Sequence, residues 1–352
     1  EQAGEEAVLS ILALWDREDE ENLNLLAVCA GEQIILHRPQ EGALYEQQLI
    51  RLFNAPNPKV TFDCKSLYHW TLRRGSAIAN LADDILLSAY LLAANNNGYE
   101  IDRLCAEYSA GRRAEGMPEE MEEDCCKLLT HCASLLPLHE KLSAEIAANG
   151  QDKLLHEIEL PLCRVLAEME AAGVKADQMA LISFGNMLQS RIEAAEQTIF
   201  GYAGKKFNIN STKQLGQILF DELGLPAGKK TKSGYSTNAD VLEKLRGKHP
   251  IIDAILDFRA MTKLKSTYAD GLVKQIADDG RIHTTFQNMV TATGRLSSTD
   301  PNLQNIPVRT ELGSEIRKMF VPSDGCVFVD ADYSQIELRV LAHIADDQTM
   351  QE

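Results

Sequence analysis

The stretch VFVDADYSQIELR, residues 327–339, sets an apolar run against two acids and follows it at once with a helix-like pattern. Apolar residues take most positions of Cys326–Asp332, so the run reads as a strand buried on both faces. That places Asp332 at the strand's C-terminal end, where a side chain reaches a cleft. Asp330 shares its face if the strand is regular. Two carboxylates on one face suit a shared cation, and equally an exposed edge; for Asp332 alone, an acid at a turn or helix entry is the plainer reading. Ser334 and Glu337 form the S-x-x-E pattern of a capping box at the start of SQIELRVLAHIA.

The chain around this stretch has 352 residues, 45% of them hydrophobic, and a mean hydropathy of -0.21, enough for two or three packed cores. No run approaches the ~18 apolar residues of a membrane span, and the acidic N-terminus EQAGEEAVLS lacks the positive region of a signal peptide, so a cytoplasmic protein is expected. The eight cysteines contain no C-x-x-C pair, which argues against a zinc or redox motif. A net charge of -17 speaks against a polyanionic partner until it is divided. Residues 1–150 carry -13, whereas residues 205–248 hold nine Lys/Arg against four Asp/Glu, a positive island in an acidic chain.

Three blocks are legible. Residues 1–150 mix short β-like runs (AVLSILAL, NLLAVCA, QIILH) with helical stretches such as DDILLSAYLLAA, the pattern of an α/β domain. Residues 151–280 open with DKLLHEIELPLCRVLAEMEAAGV, continue in a helix near 177–203 that Asp177 can cap, and return through a helix near 251–275, with a polar, Gly- and Thr-rich tip between the two long helices. Residues 281–352 begin with the strand-like RIHTTFQNMV, pass through a long loop and reach Asp332. That loop, TATGRLSSTDPNLQNIPVR at 291–309, is nearly free of bulky apolar residues. Arg295, Gln304 and Asn305 give it the donors and acceptors that touch phosphates and base edges, although a hydrogen-bonded surface loop has the same composition. KKTKSGYST in the tip suits a phosphate backbone, or a solvated charge cluster.

TATGRLSSTDPNLQNIPVR followed about twenty residues later by DADYSQIELRVLAH resembles the bacterial DNA polymerase I family, the family A DNA polymerases. FNINSTKQLGQILFDELGLP, KKTKSGYSTNADVLEKL and TKLKSTYADGL are similar to the family's thumb, and the first 150 residues resemble its exonuclease domain more weakly. The resemblance implies a multidomain chain: an α/β ribonuclease H-like exonuclease domain, an all-α thumb and the first part of an α+β palm. It implies DNA-templated DNA synthesis by two-metal catalysis in replication and repair, with two magnesium ions, deoxynucleotides and primer–template DNA, in a monomer. Asp332 would hold both ions with help from the Tyr333 carbonyl, and Glu337 would crowd a ribose 2′-hydroxyl and select deoxynucleotides. Arg295 would read the minor groove at the primer end, with Gln304, Asn305 and Arg309 near primer and template. Lys230, Thr231, Lys232, Ser236, Lys263, Ser266 and Thr267 would line the duplex backbone. Asp330 departs from the small residue expected before the motif and takes no role.

The resemblance also implies three carboxylate motifs for proofreading. Only Asp16 and Glu18 in WDRED offer a D-x-E pair. The second motif's acid falls near Leu67, with Asp63 where an amide is usual, and the third spans Lys127 to His131. An inactive exonuclease-like domain is expected. Neither the second palm aspartate nor the fingers helix is in the sequence, so the expectation is a polymerase segment, inactive alone or completed by another chain. A non-catalytic duplex-binding fragment is the alternative, and a nuclease acting through the first domain is the third reading.

Overall fold

Strand β1, Leu9–Trp15, pairs antiparallel with β2, Leu23–Ala30, with Leu9 opposite Ala30 and Leu14 opposite Leu25. Gly31 takes φ 61°, the left-handed conformation of a tight hairpin, and turns the chain into β3, Gln33–His37. After α1, Ala43–Asn54, the strand β4, Lys59–Thr61, joins β1 in parallel; α2, Cys64–Leu72, crosses to β5, Leu81–Asp84, parallel to β4. The resulting sheet has the order β3-β2-β1-β4-β5. Helices α3, Ile85–Leu92, α4, Ile101–Glu107, and α5, Glu123–Ala148, follow. The sheet and helices close over Ile11, Leu26, Val60, Ile85, Leu135 and Leu142, all essentially buried. A π-helical turn, Leu154–Glu159, leads into α6, Leu160–Ala172. This computed structural model describes residues 6–16, 22–38, 43–96, 98–112, 120–227, 234–308 and 310–351.

Beyond β6, Val174–Lys175, helix α7 spans Gln178–Ala203, and Asp177 caps it by accepting from the Ala180 amide at 2.9 Å. Short helices α8, Thr212–Gly216, and α9, Ala239–Lys244, precede α10, Pro250–Leu264, which packs along α7. Ile199, Leu215, Leu219, Leu242, Ile251 and Ile255 fill the space between them. A π-helical turn, Lys265–Ala269, carries α10 on into α11, Asp270–Gln275. Strand β7, Arg281–Ile282, pairs with β6; β8, Thr285–Gln287, pairs antiparallel with β9, Ser297–Thr299. Helices α12, Glu311–Arg317, α13, Ile336–Ala345, and α14, Gln348–Gln351, complete the described chain. Among the described residues no helix is long and apolar enough to cross a membrane.

Contacts divide the chain into two units, residues 1–173 with 282–306, and residues 174–281 with 307–352. The loop from β8 to Ile306 thus belongs with the five-stranded sheet, a grouping that the three sequence blocks do not contain.

Two local expectations fail. Residues 326–332 form no strand, and Val327, Phe328 and Val329 are 80%, 60% and 86% exposed. A strand exists only where a neighbour takes up its backbone donors and acceptors, and among the described residues no strand pairs with this run. The capping box is absent as well. Gln335, at φ 51°, is the N-cap of α13 and makes no side-chain cap bond, because Ser334 lies one residue outside the capping position.

Candidate functional site

Asp332 and Tyr333 stand exposed in the loop before α13, and Glu337 is exposed in that helix's first turn. Asp330 and Asp332 share no strand face, since there is no strand. Among the described residues no three His, Cys, Asp or Glu side chains gather in a way that could hold a metal ion. Magnesium asks for about six oxygens in octahedral array. Protein sites commonly supply one or two of these oxygens and leave the rest to water and substrate phosphates, so the exposed Asp332 carboxylate and Tyr333 carbonyl fit as two such donors.

The Arg295 loop is built by its own polar side chains. Buried Ser298 shares a hydrogen bond with Thr284 at 2.7 Å and accepts from the Leu303 amide at 3.0 Å, drawing the two ends of the loop together. The Asn302 side chain accepts from the amides of Gln304 and Asn305 at 3.0 and 3.2 Å, an Asx turn that presents both side chains outward. Gln304 then donates through Nε2 to the Leu296 carbonyl at 3.1 Å, which brings it beside Arg295. Arg295, Gln304 and Asn305 are all exposed. The structure thus assembles three of the four residues assigned to this loop; Arg309 lies outside the described residues.

On the helical unit, Lys263, Ser266 and Thr267 fall at i, i+3 and i+4 across the join between α10 and the π-helical turn, and all three are exposed. Their spacing makes one short row of an ammonium and two hydroxyls. Ser236 lines a separate cleft of about 550 Å³ with Asn210, Thr212, Tyr235, Asn238 and Arg259. Arg259 donates to the Thr237 carbonyl, and burial lowers its pKa. Sequence reasoning missed Arg259, although its place one helical turn before Lys263 was a usable signal. Lys230, Thr231 and Lys232 lie outside the described residues.

In the sheet-bearing unit, Asp16 follows β1, its amide donating to the Asn22 carbonyl at 2.8 Å; Glu18 lies outside the described residues. Asp63 is the N-cap of α2 in a left-handed conformation, Leu67 is buried, and Lys127 and His131 both meet Asp102, at 3.5 and 2.7 Å. Among the described residues the buried acids of this unit are Asp83, paired with His139 at 2.7 Å, Asp84 and, on α6, Glu170. Asp84 accepts from the amides of Asp63, Cys64 and Leu86 at 3.0, 2.7 and 3.0 Å, and burial pushes its pKa up to about 6. Three amides on one carboxylate fasten the start of two helices to β5, an architectural use of the acid.

Residues 178–352 match the family profile described as DNA polymerase family A. DNA polymerase I of Geobacillus stearothermophilus is 43% identical over 327 residues, which is 89% of this chain and 37% of that protein. DNA polymerase I of Bacillus subtilis is 43% identical over 313 residues, 84% of this chain and 35% of that protein. This chain therefore spans little more than a third of the length of these relatives. A solved structure of the POL domain of Pol1 from M. smegmatis, in complex with DNA primer–template and dNTP, superposes with a TM-score of 0.83 at 34% identity, covering 98% of this chain and 60% of that one. Matched in sequence along most of its length and in backbone along nearly all of it, the chain belongs to the family A DNA polymerases.

Proposed function

We propose that the complete protein is a DNA-directed DNA polymerase of replication and repair, and that this chain supplies its grip on primer–template DNA. The observation that carries the reading is the backbone likeness, over 98% of the chain, to a polymerase domain solved with primer–template and dNTP. In this reading residues 1–150 are a ribonuclease H-like exonuclease domain, 151–280 a thumb and 281–352 the first part of a palm. Lys263, Ser266, Thr267 and Ser236 lie along the duplex backbone with Lys230, Thr231 and Lys232. Arg295, Gln304, Asn305 and Arg309 meet the primer end and template. The exposed Lys263, Ser266, Thr267, Arg295, Gln304 and Asn305 support the assignment, because phosphate contacts position a duplex without reading its sequence.

Family A polymerases depend on metal ions. We assign Asp332 and the Tyr333 carbonyl as magnesium donors and Glu337 as the residue that crowds a ribose 2′-hydroxyl. The exposed row of Lys263, Ser266 and Thr267 and the exposed Arg295 loop also support a second reading for these 352 residues alone, a duplex-binding fragment without synthesis. Fluorescence anisotropy with a labelled primer–template decides the binding claim: affinity should fall steeply between 50 and 200 mM salt, and no binding at 50 mM would refute it. Primer extension by the full-length protein decides the catalytic claim. Asp332→Asn should abolish extension and leave duplex affinity within about twofold; undiminished extension would remove Asp332 from the site.

A further inference from the structure

The loop that carries Arg295 and Gln304 is tied to the α/β body by a polar network, centred on buried Glu170 and Tyr90, that the grip on DNA, as assigned above, leaves unused. Glu170, near the end of α6, is only 6% exposed, yet it carries a carboxylate. Its Oε1 accepts from Lys65 Nζ at 2.8 Å and from the Phe286 amide at 2.6 Å, and its Oε2 meets His69 Nε2 at 2.5 Å. Burial raises the Glu170 pKa, but the hydrogen bonds from His69, Lys65 and Phe286 outweigh it and leave the group below its usual range. Lys65 donates a second bond, to the Phe286 carbonyl at 2.6 Å. Both backbone groups of Phe286, the middle residue of β8, are therefore held by side chains of α2 and α6.

Further along, Tyr90 on α3, 3% exposed, donates its hydroxyl to the Thr291 carbonyl at 2.7 Å. Thr291 Oγ1 in turn donates to the Arg295 carbonyl at 2.7 Å. The chain of bonds runs from α3 to the backbone of Arg295 itself. Glu170 is buried while Lys65 and His69 are half-buried, and holding the three together costs desolvation that an apolar trio of similar volume would avoid, so their contribution lies in geometry more than in stability.

We propose that Glu170, with Lys65 and His69, and Tyr90 are positioning residues for the DNA-contacting loop 288–306. The exonuclease-like body then has a use independent of any nuclease chemistry: it fixes the place and conformation of the loop that meets the primer end. The inference rests on the reading of that loop as a DNA contact, and its test separates the two.

Hydrogen exchange is followed by mass spectrometry on the free 352-residue chain, for wild type, Tyr90→Phe, Glu170→Gln and Arg295→Ala. Tyr90→Phe removes one hydroxyl and keeps the ring in the core, so it remains informative even if Glu170→Gln fails to fold. Loss of one structural hydrogen bond corresponds to roughly fivefold faster opening. Tyr90→Phe and Glu170→Gln should show that acceleration in peptides covering 288–305 and wild-type exchange in β1 and β2. Primer–template anisotropy on the same proteins should place Tyr90→Phe and Arg295→Ala as each weaker than wild type and the double variant no weaker than Arg295→Ala. Wild-type exchange across 288–305 in Tyr90→Phe overturns the proposal, as does acceleration spread equally over β1 and β2. Faster local exchange in a chain whose wild type does not bind primer–template would keep the positioning role and discard the DNA-contact reading.

Discussion

Lys59 on β4 is 1% exposed, and its ammonium donates to the carbonyls of Ala55, Asn57 and Ala79 at 2.6, 2.9 and 2.8 Å. Burial lowers its pKa to about 8 from 10.5. Between those values the unfolded chain binds more protons than the folded one, so this group makes stability rise as pH climbs from about 8 toward 10.5. Lys59→Met should flatten that rise in urea unfolding curves taken across the range, and should destabilise at pH 7 by roughly 3 kcal/mol through three orphaned carbonyls. Asp84 gives the opposite sign. Its folded pKa of about 6 lies above the unfolded 3.8, so its contribution is complete below pH 4 and is lost as pH rises through 6, by roughly 3 kcal/mol. Asp84→Asn should remove that part of the pH dependence; a slope between pH 4 and 6 equal to that of wild type would show that Asp84 does not titrate there.

At the scale of elements, the caps decide where helices begin. Asp177→Ala leaves the first turn of α7 without its acceptor and should lower stability by about 1 kcal/mol, read as a drop in the thermal midpoint. Helix α12 begins on Thr310, whose Oγ1 accepts from the Gly313 amide at 3.1 Å. A Cβ on Gly313 would stand 2.5 Å from the Pro307 Cβ and 2.6 Å from the Thr310 Oγ1. Gly313→Ala should therefore destabilise by about 2 kcal/mol and loosen the turn before α12, visible as faster amide exchange over 311–317. The run 326–332 shows the limit of element reading: its composition is that of a strand, but pairing, which composition does not supply, makes one.

At the scale of the whole molecule, the proposed DNA binding by a chain of charge -17 would have to run through local cations. Lys263→Ala should weaken primer–template binding nearly uniformly across sequences and reduce the slope of log affinity against log salt by about one. An unchanged slope would take Lys263 off the backbone path. The sheet-bearing unit, proposed to be an inactive exonuclease-like domain, should not degrade a mismatched primer, with or without Asp16→Ala. Mismatch removal abolished by Asp16→Ala would restore a nuclease to it.

The sequence by itself determined the family, through two long motifs, and the helices and strands whose periodicity is strong: β1 to β3, α7 with its Asp177 cap, and α10. It also located Arg295 and Gln304 as candidates, since fork-shaped donors and amides in an apolar-poor stretch are visible one residue at a time, while Lys263 and Ser266 came from the family resemblance alone. Tertiary structure alone decided what depends on distant partners. It left Val327 to Val329 exposed, because a strand needs a neighbour. It joined Arg259 to Thr237, and it bound Glu170 to Lys65, His69 and Phe286 across as many as 116 positions. No local pattern marks such contacts, because a buried charge is stable only where the fold gathers its partners around it.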